Sequence, residues 1–248
     1  QDNPGLVASR AVQVARSQPA GPVYISVPKE LSLMPVREAE FPSAIQLGIT
    51  EPPAPDAGSI QEITERLIGA RQPVVIVSRS GRNPDSMAAL VELCELLGLA
   101  VVESGQMAFL CFPSTHPLYQ SQSALEGADA VLVLDCEVPW IPGRNDPAVG
   151  AYVADVTFDP LKMRTPTYEF VANRRIAADP LLAIEAITEV ARDLLTDIDR
   201  KRIAERSEQL AAASKARFEA DEKAAMAVAK DTPIDPKWLS HQIGEAID

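Results

Sequence analysis

The sequence predicts an α/β fold, a parallel sheet flanked by helices, with helix-strand fragments of neighbouring domains at each end. Three observations predict it. Val74-Val75-Ile76-Val77 are four consecutive apolar β-formers with no polar alternation, the mark of a strand covered on both faces. Met87, Leu90, Val91, Cys94 and Leu97 then repeat at helical spacing, Gly98 stops the helix, and Leu99-Ala100-Val101-Val102 starts a second strand. A strand, a helix and a strand in that order form a right-handed βαβ unit. Everything from Ser59 to about Leu195 can be read as copies of this unit, so the middle of the chain is Rossmann-like.

Taken in order, Asn3-Pro4 opens a helix, because Asn caps free N–H groups and Pro at the first position lacks none that is needed. Val7, Ala11, Val14 and Ala15 form its apolar stripe. Gly21-Pro22 breaks it, and Val23-Tyr24-Ile25-Ser26-Val27 reads as a strand with no sheet of its own. Four such apolar side chains are expected to be covered, either by the rest of the chain or by a second copy. Residues 31–58 carry many prolines and little periodicity, the signature of a linker. Ser59 and Glu62 have capping-box spacing ahead of Ile60, Ile63 and Leu67. Asn83-Pro84 starts the helix of the βαβ unit.

A long loop through Phe112-Pro113-Ser114-Thr115-His116-Pro117 follows, then a short helix near Ser123–Gly127. Ala130–Leu134 is the third strand, Tyr152–Val156 the fourth and Arg175–Ala177 the fifth. Asp179-Pro180 opens a helix burying Ile184, Ile187, Ala191 and Leu194. From Asp197 to about Lys230 the chain is charged and alanine-rich, which predicts a mostly solvated connector helix with Lys201–Arg206 on its wet face. Asp235-Pro236 starts a last helix with Trp238, Leu239, Ile243 and Ile247 as its stripe. The expected organisation is a leading fragment over 1–30, a linker over 31–58, a central domain over 59–196, a connector over 197–232 and a trailing fragment over 233–248.

Composition narrows the function. A net charge of −12 argues against nucleic acid or an anionic membrane as partner. No apolar run reaches transmembrane length, and no signal-peptide pattern opens the sequence. Cys94, Cys111 and Cys136 lack metal-ligand spacing and read as reduced thiols of a cytoplasmic protein. With two histidines and no His or Cys cluster, no metal site is expected.

The candidate binding residues sit at strand ends. Ser78, Arg79, Ser80 and Gly81 form a turn between a strand and a helix, where α/β sheets bind phosphates through free N–H groups and the helix dipole. Arg79 and Arg82 add positive charge. The turn is not Gly-x-Gly-x-x-Gly, and a plain strand-to-helix turn competes with a phosphate cradle. Asp135 and Asp159 end strands where a ribose-binding carboxylate stands in such folds; capping the next turn is the alternative. His116 is read as structural and Trp140 as a packing or interface residue. No residue is assigned a catalytic role.

Six stretches in the same order resemble the thiamine diphosphate-dependent enzymes of the acetolactate synthase, benzoylformate decarboxylase and pyruvate oxidase group. Gly21-Pro22-Val23-Tyr24-Ile25-Ser26-Val27-Pro28 is similar to the end of the pyrimidine-binding domain. Arg71–Val77 resembles the first strand of the central domain, and Phe112–Leu118 its Pro-x-x-His-Pro-Leu loop. Ala128–Leu134 resembles its Ala-Asp-x-Val-Leu strand, and Phe158-Asp159-Pro160 the end of its Ile-Asp-Ile-Asp-Pro strand. Pro233–Pro236 looks like the entry to the pyrophosphate-binding domain.

The resemblance implies an excised piece of a three-domain enzyme acting on 2-keto acids as a carboligase (a transferase), decarboxylase or oxidase. Thiamine diphosphate and Mg2+ would sit between the first and third domains at a subunit interface, so the partners are the remaining domains and further copies of the chain. The family's catalytic Glu lies upstream of Gln1 and its Gly-Asp-Gly motif beyond Asp248; no Gly-Asp-Gly occurs here. Some members hold FAD or ADP in the central domain. This chain departs from the flavin-binding ones: its turn has one glycine, Thr157 replaces an acid, and Glu137–Pro142 replaces an Arg-Phe-Asp-Asp-Arg-like stretch. No cofactor is therefore expected on this chain alone. Two other readings stay open, a stand-alone nucleotide-binding module and a structural or oligomerisation unit.

Overall fold

The computed structural model describes residues 3–35, 39–105, 109–163, 165–168 and 170–247. The chain divides into two compact units, Gln1–Ala54 and Pro55–Asp248.

In the first unit, α1 (Pro4–Arg16) begins as expected, with the Asn3 side chain accepting from the Leu6 N–H at 3.3 Å. Gln13 donates from its side chain to the carbonyls of Leu47 and Gly48, tying α1 to α3 (Ala44–Leu47). A reciprocal Ser43–Gln46 box starts α3, and α2 (Lys29–Ser32) is a single turn after Pro28. The expected strand at Val23–Val27 is absent: the segment pairs with no strand, and Tyr24 is 90% and Val27 61% exposed. Apolar β-formers supply a propensity, but a strand also needs a neighbour for its N–H and C=O groups.

The second unit holds a five-stranded, all-parallel sheet in the order β2-β1-β3-β4-β5. The strands are β1 (Pro73–Val77), β2 (Ala100–Glu103), β3 (Ala130–Leu134), β4 (Tyr152–Thr157) and β5 (Arg174–Ala177). Val75, Val77, Leu132, Leu134 and Val156 point to one face, where α4 (Ala57–Gly69), α5 (Asp85–Leu97) and α6 (Pro180–Leu194) cover them. Val74, Ile76, Val131, Val133 and Val153 point to the other. That second face is covered mostly outside α-helices, by Leu125 and Ala128, Trp140 and the segment bearing Phe170 and Ala172, with Leu210 of α7 (Asp197–Ala227) packed against them. Among the described residues, only the β1 to β2 connection runs through an α-helix, so the βαβ unit is not copied along the domain as expected. The handedness rule explains the split. Moving left from β1 to β2 and right from β2 to β5 puts right-handed crossovers on opposite faces.

The helix starts are mostly local chemistry. Asp179 accepts from Leu181 and Leu182 N–H, and Asp235 from Lys237 N–H. At α4 the cap is Asp56 rather than Ser59, whose own N–H it accepts at 2.8 Å. α5 ends at Gly98, whose φ of 58° is left-handed.

α7 (Asp197–Ala227) and α8 (Pro236–Ile247) complete the unit. The expectation that Lys201–Arg206 is a solvated face is corrected: Ile203 and Arg206 are buried, and Arg202 donates to the Ile68 carbonyl. Both arginines are spent on the C-terminal ends of other helices, where unpaired carbonyls and the negative end of the dipole attract cations.

Candidate functional site

A sheet of order 2-1-3-4-5 has its topological switch point between β1 and β3, and ligands of open α/β sheets bind beyond the strand ends there. Ser78, Arg79, Ser80 and Gly81 leave β1 at that point, and Asp135 leaves β3 beside them. The fold thus brings together five of the six residues singled out in the sequence.

The geometry of that crevice is that of a closed seam. Arg82 pairs with Asp135 at 3.2 Å and Arg79 with Glu137 at 2.8 Å, so two ion pairs cross from one loop to the other. The Arg79 hydrogen bond holds Glu137 below its ordinary value, and the Arg79 guanidinium is raised in return. The other oxygen of Asp135 accepts from the Thr157 hydroxyl at 3.1 Å. Asp135 is buried and has a φ of 45°, which points the backbone away from a plain strand exit. Both of its carboxylate oxygens are therefore engaged within the protein.

Gly81 has a structural cause. A Cβ there would run into the Leu110 carbonyl oxygen and lie 2.7 Å from its carbon, so the glycine makes room for the 109–112 loop. Its N–H points to the Cys111 sulfur at 3.4 Å. Phosphate loops depend on such N–H groups being free. Here a thiol takes it, and burial pushes that thiol up. Ser78 and Ser80 are buried, and the Ser80 hydroxyl interacts with Cys111.

Asp159 stands apart. It is exposed and caps the turn after β4, accepting from the Met163 N–H at 3.2 Å. His116 is structural: its Nδ1 accepts from Leu118 N–H at 3.2 Å, and its ring meets Phe112 edge to face. Trp140 is buried against Phe170, with ring centroids 5.2 Å apart.

Sequence reasoning missed a second polar cluster one strand over. Asp155 of β4 is 3% exposed and paired with Arg175 at 3.0 Å, its register neighbour on β5. Arg175 also donates to the carbonyls of Pro160 and Phe170 and lies over the Tyr168 ring. Burial raises the Asp155 carboxyl to about 6, against the pull of Lys162 and Arg175. A lone charge in a fully buried strand, Val153-Ala154-Asp155-Val156, was the available signal.

Among the described residues no group of His, Cys, Asp and Glu could hold a metal ion, and no helix is long and apolar enough to cross a membrane. The crevice between β1 and β3 is self-paired, and the sequence has no Gly-Asp-Gly.

Comparisons with known proteins agree with this layout. Residues 60–185 match the family described as thiamine pyrophosphate enzyme, central domain. Benzoylformate decarboxylase of Pseudomonas aeruginosa is 28% identical over 207 residues, covering 77% of this chain and 38% of that protein. The solved structure of a Rhodococcus jostii thiamine diphosphate-dependent 4-hydroxybenzoylformate decarboxylase is 25% identical with a TM-score of 0.58, over 74% of this chain and 36% of the other. Benzoylformate decarboxylase from Polynucleobacter necessarius shares the fold with a TM-score of 0.62 at 21% identity, over 76% and 37%. The chain thus spans little more than a third of the length of each relative. On the match over residues 60–185, which holds all five strands of the sheet, the chain belongs to the thiamine pyrophosphate enzyme family and carries its central domain.

Proposed function

We propose that this chain is the non-catalytic centre of a thiamine diphosphate-dependent enzyme acting on 2-keto acids, acetolactate synthase-like in being built as carboligase or decarboxylase. The observation that carries this reading is the match over residues 60–185 in a chain that spans 38% of a benzoylformate decarboxylase. Residues 1–30 are the tail of a pyrimidine-binding domain, 31–58 a linker, 197–232 a connector, and 233–248 the start of a pyrophosphate-binding domain. The parent protein is a cytoplasmic homo-oligomer that holds thiamine diphosphate and Mg2+ outside this chain. The central sheet supports the flanking domains and carries no step of the reaction.

Ser78, Arg79, Ser80, Gly81 and Asp135 are where a nucleotide would bind if the domain held one. The Arg82–Asp135 and Arg79–Glu137 pairs and the Gly81–Cys111 contact favour a supporting role instead.

The test is the flanking sequence together with activity. A Glu upstream in a pyrimidine-binding domain, a Gly-Asp-Gly downstream, and 2-keto acid turnover by the longer protein but not by these 248 residues would bear the proposal out. Magnesium-dependent binding of thiamine diphosphate to the 248-residue chain, seen by calorimetry, would overturn it.

A further inference from the structure

The second face of the sheet carries two adjoining hollows. The larger is a groove of about 560 Å3 running from Trp140 and Pro142 to Val149 and Phe170. That lies within the roughly 300–1,000 Å3 typical of small-molecule sites. The smaller, about 10 Å3, is lined by Asp155, Arg175 and Tyr168. Trp140, Val153, Phe170, Val171 and Ala172 stand in the walls of both. The inner hollow is about the size of one water or one hydroxyl group.

Asp155 gives that hollow its chemistry. Its Oδ2 is held by Arg175, while its Oδ1 is buried and has no hydrogen-bond partner among the described residues. An acceptor in that state calls for a donor, because leaving it unmet costs the full desolvation of the group. The local charges decide what kind. Lys162 and Arg175 act on Asp155 with positive charge and Asp135 with negative charge. A second cation would meet the two basic groups, and an anion would meet the two carboxylates. A neutral hydroxyl meets neither objection. The walls of the groove, Trp140 with Phe170 edge to face and the exposed Val149 and Val171 at its rim, suit a flat apolar body.

We propose that these hollows form one binding site for a small neutral aromatic alcohol, its ring in the groove and its hydroxyl donating to Asp155 Oδ1. The site lies on the opposite side of β3 and β4 from the helices α4 to α6, and is separate from the sealed seam between β1 and β3.

p-Cresol and toluene differ by one hydroxyl and serve as probes on the 248-residue chain. The indole N–H signals of Trp140 and Trp238 are followed by NMR, with Trp140→Phe assigning them. p-Cresol is expected to shift the Trp140 signal saturably, leave Trp238 in place, and bind at least tenfold more tightly than toluene. Asp155→Val should abolish the difference between the probes. If that variant does not fold, Ala172→Leu, which fills the wall shared by the two hollows, should abolish binding of both. Equal affinity of the probes, a shift shared by Trp238, or a crystal structure at saturating p-cresol with only water at Asp155 would overturn the proposal.

Discussion

Arg206 donates from Nε to the carbonyl of Gly98 at 2.8 Å, across 108 residues of sequence. The same guanidinium reaches Ala70 O at 2.9 Å and Leu97 O. One buried cation of α7 therefore closes the C-terminal ends of both α4 and α5. Burial lowers Arg206 to about 10, so it stays charged at neutral pH while the three carbonyls replace its lost water.

Removing that guanidinium leaves three carbonyls at helix ends without their donor. Hydrogen bonds to a charged group are worth roughly 1.5–3 kcal/mol each, offset by the cost of burying the charge. Arg206→Met is expected to lower the unfolding free energy by about 2–4 kcal/mol in urea titrations. Arg206→Lys should lie between, since an ammonium cannot span the fork. A loss below about 0.5 kcal/mol for Arg206→Met would mean that α7 is held by its other contacts, Ile203, Leu210 and the Arg202–Ile68 hydrogen bond.

Gly81 separates a packing glycine from a phosphate-loop glycine. Its missing Cβ is space for the Leu110 backbone, which has no flexible side chain to yield. Gly81→Ala should cost about 1–3 kcal/mol, or more, as an overpacked site, with no ligand added. A differential scanning melt reads it directly. An unchanged melting temperature would place the 109–112 loop away from the turn in solution.

Asp155 sets a pH dependence of defined sign. Its carboxyl rises from 3.8 to about 6 on folding, so the folded state binds the proton more tightly than the unfolded one. The stability this supplies is full below about pH 4 and is lost as pH rises from there through about 6. Two units correspond to about 3 kcal/mol. Asp155→Asn removes the titration while keeping an acceptor for Arg175. Relative to the wild type, the variant should gain about 2–3 kcal/mol between pH 4.5 and pH 7.5 in denaturant titrations at the two values. A difference that does not change with pH would show that Asp155 ionises freely.

What could be read from the sequence was what neighbours along the chain decide. Val74–Val77 announced a doubly covered strand because no residue in it could face water. Asn3, Asp179 and Asp235 announced helix starts because cap and proline sit side by side, and each side chain accepts from the N–H it should. What stayed hidden depends on distant partners. Arg206 reads as a wet helix face until Gly98 and Ala70 arrive, and Gly81 stays open between a plain turn and a phosphate cradle until Leu110 does. The strand at Val23–Val27 failed for the reverse reason: its local pattern was right, but the described chain supplies no neighbour to pair with it. Five of the six candidate residues do fall together, at the end of β1 beside β3. The state of the site, paired shut by Arg82–Asp135 and Arg79–Glu137, depends on partners that a separate loop brings in.

The crevice between β1 and β3 is where this strand order takes a nucleotide, so whether it holds flavin rests on its residues. A diphosphate needs free N–H groups at the turn, and that of Gly81 is given to Cys111. A ribose needs a free carboxylate, and Asp135 has one oxygen on Arg82 and the other on Thr157. Entry would break both the Arg82–Asp135 and Arg79–Glu137 pairs and displace the loop packed on Gly81. The Arg79–Glu137 pair is largely exposed and adds little, but at roughly 1–3 kcal/mol for each buried partner left unpaired the Asp135 and Gly81 losses move a micromolar site towards millimolar. The purified chain should therefore be colourless and release no flavin on denaturation. Arg82→Ala combined with Arg79→Ala should not create flavin binding either, because the Gly81 N–H and the loop above it stay in place. A yellow preparation with one flavin per chain would show that the seam opens, and would make Ser78–Gly81 a binding loop.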